Sequence, residues 1–237
     1  RNLSLKQHLG MNADNFPTNS TTILETNAPN YHRSKVIELM KELRICAPES
    51  MVEHLSDKKV RQLVIDKSEL QGGFFFVDKS VFESFSIHQG EKKSDNKLVF
   101  LRNSNDLEFI FNYYQICSGE LLPVLISPLT TDSEITELKD RFKPGSFLDG
   151  GKFISFDEAE KVENIYKDDA VIILTSGSSG KPKAVVHSFT SLINASLRGN
   201  SELGVTKGDK WLLSLPIHHI SGFSILFRSI VASSELI

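Results

Sequence analysis

The chain has 237 residues, a formal net charge of −3 and a hydrophobic fraction of 40%. That length supports a core without staples, and the charge gives no reason to expect nucleic acid as a bulk partner. Two cysteines, Cys46 and Cys117, fit neither a CxxC nor a metal spacing, so no disulfide framework is expected and a reducing cytoplasm fits best.

Taken in chain order, positions 1–33 read as a polar tail without the hydrophobic region of a signal peptide. Val36, Leu39, Met40 and Leu43 recur at helical spacing, which predicts a helix over 34–43 with Ser34 as its N-cap. From about 46 to 95 short apolar pieces (LVID, FFFVD) alternate with charge, Phe74, Phe75 and Phe76 read as core, and HQGEKKSDN reads as a loop. KLVFLR (97–102) is a strand candidate. Asn105 and Glu108 have the form of a capping box, Leu107, Ile110, Phe111 and Tyr114 share a helical face, and Gly119 stands where a glycine ends a helix.

LLPVLIS (121–127) follows as the second strand of a βαβ unit. TTDSEITELKDRF then predicts an amphipathic helix from Thr131 or Asp132. Beyond it, VIILT (171–175) is a buried strand, AVVHS (184–188) a further one, 189–203 a helix ended by Gly204, and KWLLSLP (210–216) a strand. An apolar helix begins near Phe223, and its pattern continues to the last residue without a stop signal, which reads as truncation. Strands alternating with helices indicate an α/β fold. We divide it into a first α/β subdomain (34–169) and an incomplete second segment (170–237). No apolar run approaches the roughly 20 residues of a membrane helix.

The chemistry concentrates in TSGSSGKPK (175–183). Gly177 and Gly180 free the backbone for a tight turn, in which successive N–H groups form a concavity for an anion. Thr175, Ser176, Ser178 and Ser179 add hydroxyl donors, Lys181 and Lys183 add positive charge, and a polyphosphate uses all of these together. The competing reading is a solvated Gly/Ser turn with incidental lysines. The loop is not a Walker A sequence, because its glycines are too close, and a GxGxxG fingerprint is absent.

TSGSSGKPKAV resembles the phosphate-binding signature of the adenylate-forming (AMP-binding) superfamily, with Ala184 where most members have glycine. LPIHHISG (215–222) resembles that family's LPxxHxxG segment. Within the superfamily, KAVVHS, WLLSLP and Ser221-Gly222 followed by Arg228 are most similar to the o-succinylbenzoate–CoA ligases of menaquinone biosynthesis. The resemblance is close over about 170–230, looser over 97–142, and absent before about residue 90.

What the resemblance implies is the layered sheet-and-helix architecture of an adenylate-forming N-terminal domain, truncated. It also implies a two-step reaction: a carboxylic acid attacks ATP to give an acyl-adenylate and pyrophosphate, and coenzyme A then forms a thioester. Residues 175–183 would cradle the β- and γ-phosphates, with Mg2+ accompanying ATP. His219 would border the acyl and adenylate pocket as the catalytic-site histidine without serving as a general base. Gly222 would allow close approach to substrate, and Ser221 lies beside it. Adjacent strand residues point to opposite faces, so His218 and His219 are not expected to chelate a metal. The family's adenine, ribose and catalytic-lysine positions lie downstream, so the 237-residue chain alone is expected to be inactive. Another acyl- or aryl-CoA ligase, and a non-catalytic module that keeps the phosphate loop, are the alternatives. His187 and the pair Asp168-Asp169 read as structural or solvated, and the sequence says nothing of oligomeric state.

Overall fold

The runs LVFL, LPVLI and AVIIL lack polar alternation, the pattern of strands covered on both faces. The computed structural model describes residues 3–4, 33–84, 96–102, 104, 106–150, 152–156, 162–163, 165, 168–177 and 182–237. Its N-terminal part runs β1 (Leu3–Ser4), α1 (Arg33–Lys41), β2 (Arg44–Pro48), α2 (Glu49–Glu53), α3 (Lys58–Lys67), β3 (Glu69–Gln71), β4 (Phe74–Val77) and α4 (Lys79–Ser84). The middle follows as β5 (Leu98–Arg102), α5 (Leu107–Ser118), β6 (Leu122–Ile126), α6 (Asp132–Phe142), β7 (Ser146–Asp149), β8 (Lys152–Ser155) and β9 (Val162–Glu163). The last part is β10 (Asp169–Thr175), β11 (Lys183–Ser188), α7 (Phe189–Leu203), β12 (Lys210–Trp211), α8 (Ile220–Ala232) and β13 (Glu235–Leu236).

The three apolar runs lie together in a six-stranded sheet of order β11-β10-β6-β5-β7-β8. Its four central strands are parallel, and β11 and β8 close the edges antiparallel. Alternate residues of the central strands enter different cores, as the two-residue period of a strand requires. Val99, Leu101, Leu125, Val171 and Ile173 meet α1, α5, α7 and α8 on one face. Leu98, Phe100, Val124 and Ile172 meet Ile135, Leu138 and Phe142 of α6 on the other. The expected α/β architecture is therefore present.

A second sheet, β12-β13-β2-β4-β3, joins the last strand to β2, while β1 pairs separately with β9. Glu235 and Leu236 pair in parallel with Arg44 and Ile45. Arg33 ties α1 into the larger sheet by donating to the carbonyls of Leu121 (2.6 Å), Asp169 (3.0 Å) and Cys117 (3.4 Å).

Several local expectations need correction. Ser34 lies inside α1, which already includes Arg33, although Val36, Met40 and Leu43 form the expected buried face. Asp106 caps α5, accepting from the Phe109 N–H; Glu108 instead bonds Ser56, and Asn105 lies outside the described residues. Gly119 does end α5 as expected, at φ −79°, but the left-handed residue is Glu120 at φ 57°. The strand expected over 210–216 stops at Trp211, and α8 begins at Ile220, three residues before Phe223. The terminal helical pattern does end: Ser233 takes φ 51° and β13 follows. Asp169 is a buried strand residue and Asp168 accepts from the Thr190 N–H and hydroxyl, so neither belongs to a solvated loop. Of Phe74, Phe75 and Phe76, only Phe75 is fully buried and Phe74 is exposed. The expected loop over 88–95 and most of the polar tail lie outside the described residues.

Candidate functional site

β10 brings five consecutive buried residues, 169–173, to the surface at Thr175, and β11 leaves that surface at Lys183. The two are antiparallel, with Thr175 opposite Lys183, so the Gly/Ser segment is the connection of a strand hairpin. The Thr175 hydroxyl donates to the Lys183 carbonyl at 3.4 Å, and the Arg141 guanidinium of α6 donates to the Pro182 carbonyl. Thr175, Ser176 and Lys183 are exposed and Gly177 is half-buried at the base of this connection. Ser178, Ser179, Gly180 and Lys181 lie outside the described residues. The base thus presents two hydroxyls and a lysine, donors with the charge an oxyanion requires.

β11 runs directly into α7, whose first turn is capped by the Ser188 hydroxyl accepting from the Ser191 N–H at 3.0 Å. α7 packs along α8: the Asn200 amide donates to the Arg228 carbonyl at 2.8 Å, and Gly199 leaves room for the Arg228 guanidinium. That guanidinium stacks on Trp211, 5.3 Å from the ring centre. On its buried side α8 inserts Phe223 and Phe227 among Phe109, Tyr113 and Phe189. The Phe223–Tyr113 pair is edge-to-face at 5.2 Å, a favourable aromatic geometry. This cluster fixes the position of α8 and of the histidine that precedes it.

His219 occupies the N-cap position of α8, exposed, with its carbonyl accepting the Phe223 N–H and no capping bond from its ring. His218 and His219 belong to a turn, not a strand, and their rings lie side by side with centres 4.4 Å apart. The opposite-face geometry expected of them is therefore absent. Burial, and secondarily the His219 charge, hold the His218 pKa below its ordinary value. His187, in β11, is also held low by burial.

Ser221 is exposed in the first turn of α8, and its carbonyl accepts the Ser224 hydroxyl. Gly222 is buried, and a Cβ there would sit 2.3 Å from the Pro216 carbonyl oxygen and 2.4 Å from that of Leu215. The close approach it permits is thus between α8 and the chain's own 215–216 segment. The structure holds the loop base and the 219–222 turn on separate elements joined through α7 and α8.

Sequence reasoning missed an ion pair at the carboxyl ends of β5 and β7. Arg102 grips Asp149 with two N–H groups, donates to the Thr130 carbonyl at 3.3 Å and lies over Phe147. Arg102 opposite Asp149 becomes visible only once the parallel pairing of β5 with β7 is known. Among the described residues, no group of three or more His, Cys, Asp or Glu side chains could hold a metal ion.

Residues 91–237 correspond to the AMP-binding enzymes, and the chain belongs to that family. It is similar to the 2-succinylbenzoate–CoA ligase of Bacillus velezensis, 42% identical over 196 residues, which cover 75% of this chain and 40% of that protein. The ligase of that name from Bacillus subtilis is 24% identical over 197 residues, again 75% of this chain and 40% of the relative. The chain therefore spans about 40% of the length of these relatives. The fold is shared with the O-succinylbenzoate coenzyme A synthetase of Bacillus subtilis solved in complex with AMP, at a TM-score of 0.51 and 21% identity. That match covers 75% of this chain and 53% of the solved one.

Proposed function

We propose that the chain supplies the phosphate-binding portion of an ATP-dependent acid–CoA ligase whose acid is o-succinylbenzoate. The observation that carries this reading is the connection between β10 and β11, where exposed Thr175, Ser176 and Lys183 stand at the base of a Gly/Ser segment. These groups suit the β- and γ-phosphates of ATP: hydroxyls donate to phosphate oxygens, and the ammonium offsets the negative charge that grows on departing pyrophosphate. In this reading Ser178, Ser179, Gly180 and Lys181 complete the cradle, and magnesium arrives on the triphosphate. The attacking carboxylate is already ionised, so His219 need not remove a proton. Its exposed position at the start of α8 suits a wall of the acyl pocket, with Ser221 beside it. Coenzyme A then takes the acyl group, releasing AMP.

The choice of o-succinylbenzoate rests on the ligase-named relatives. It is tested by pyrophosphate release from the full-length protein with ATP, coenzyme A and a panel of acids. Turnover of o-succinylbenzoate at least tenfold faster than of fatty acids or other aryl acids supports the reading. Preference for another acid would leave the ligase class and overturn this substrate, whereas no turnover with any acid would overturn both. The 237-residue chain alone is proposed to release no pyrophosphate in the same assay.

A further inference from the structure

Two bonds hold the point where the Gly/Ser connection enters β11. The Thr175 hydroxyl donates to the Lys183 carbonyl at 3.4 Å, and the Arg141 guanidinium donates to the Pro182 carbonyl. The ring of a proline sets φ near about −65° and leaves no N–H to place. The main-chain freedom left at 182 is therefore the rotation that aims its carbonyl. The 182–183 peptide is trans, and a peptide is planar. Fixing that carbonyl fixes the Lys183 N–H on the opposite side, and with it the point from which the Lys183 side chain leaves the chain.

Arg141 stands on a rigid support. It lies in the last turn of α6, whose Ile135, Leu138 and Phe142 are buried in one cluster with Ile172 of β10 and Ala184 of β11. The helix ends on a left-handed Lys143, φ 44°, whose N–H donates to the Lys139 carbonyl at 2.8 Å. Phe142 is fully buried, and the Arg141 guanidinium lies 4.8 Å from its ring centre. An ordinary surface role would pair Arg141 with Glu137, which precedes it by the four residues that suit a helical ion pair. The guanidinium instead reaches a main-chain carbonyl 41 residues away in sequence. A bond from a charged donor is stronger than one between neutral groups.

We propose that Arg141 is a positioning residue of the phosphate site, holding the Pro182–Lys183 peptide so that the Lys183 ammonium is presented from a fixed origin. The proposal rests on the phosphate-binding reading of Lys183 and adds to it a residue outside both sequence motifs. Arg141 acts through Lys183 and touches no phosphate. Without it the exit of the connection is free to turn, and ordering it again on binding is lost from the affinity.

The test is a double-substitution cycle in the full-length protein, read by calorimetric titration with sodium pyrophosphate at constant ionic strength. Arg141→Met should weaken pyrophosphate binding about threefold to tenfold. It should leave the urea unfolding midpoint unchanged, because the side chain is exposed. In a Lys183→Ala background the same substitution should change affinity by less than about twofold, since the lysine it positions is gone. Equal losses in the two backgrounds would mean that Arg141 contributes its own charge directly, and would overturn the positioning role. Unchanged affinity in Arg141→Met, or in Lys183→Ala, overturns it as well. Should Arg141→Met not fold, Arg141→Gln, whose shorter neutral side chain removes the same bond, enters the same cycle. If the unsubstituted protein does not bind pyrophosphate, the phosphate reading fails and this proposal with it. Binding that Lys183→Ala weakens and Arg141→Met does not would overturn this proposal alone.

Discussion

Gly222 and Gly208 differ in what a methyl group would meet. At Gly222 the new Cβ would press on two main-chain carbonyls, which cannot rotate away as a side chain can; at Gly208 nothing lies within 4 Å. Gly222→Ala should therefore lower stability by about 2–3 kcal/mol in urea unfolding, and Gly208→Ala should change it by less than about 0.5 kcal/mol. Lys183 is exposed, so Lys183→Ala should leave stability unchanged while weakening pyrophosphate binding roughly tenfold to a hundredfold, read by calorimetry. Asp106 has a pH signature. Its folded-state pKa of about 6 lies above the ordinary 3.8, so its contribution is fully present below about 3.8 and is lost as pH rises through about 6. The loss is on the order of 3 kcal/mol. Asp106→Asn, which keeps an N-cap acceptor, should remove that slope from unfolding curves recorded between pH 4 and 7. Lys183 could be singled out from the sequence because its neighbours in the chain form one loop. The cost at Asp106 could not, because α2 and α5 come together across some fifty residues.

Elements were legible where one local signal decided them. α6 combines an amphipathic stripe with a capping box between Thr131 and Glu134, and α7 runs from a Ser188 cap to a left-handed Gly204. The segment after β12 shows the opposite case. WLLSLP has the composition of a strand, but only Lys210 and Trp211 find a partner strand. Leu212 and Leu215 remain exposed, at 62% and 44%. Strand composition describes a half-buried pleated surface, and after the single bond from the Leu213 N–H to the Ile237 carbonyl no described strand continues the pairing. α8 was placed late because Ile220, Ser221 and Gly222 form a poor apolar stripe; a glycine stands at 222 because the carbonyls of Leu215 and Pro216 come so close. At this scale the most informative single bond donor is Arg33, which secures α1 to the end of α5 and the start of β10. Arg33→Met keeps much of the stem and removes the donors. It should cost about 1–3 kcal/mol and speed amide hydrogen exchange in α1 more than in β5 or β6.

For the whole molecule, uninterrupted apolar runs announced a sheet buried on both faces, while strand order stayed hidden because it depends on where crossovers land. The pairing of β13 with β2 is the clearest instance, joining residues 235–236 to 44–45 with nothing in either short segment to mark the other. A further consequence comes from the strand hairpin that carries Thr175 and Lys183. Many phosphate sites lie at the head of a helix, where the peptide dipoles supply a fixed positive potential. Here the chain turns back into β11, so the described part of the connection has no such dipole immediately behind it. Under the proposed phosphate-binding role, attraction for a polyanion would then come chiefly from exposed lysine charge such as that of Lys183. Exposed charges of that kind are weakened by counterions over a Debye length of about 8 Å at physiological salt. Nucleotide affinity should accordingly fall steeply as potassium chloride is added, and it should fall less steeply once Lys183 is neutral.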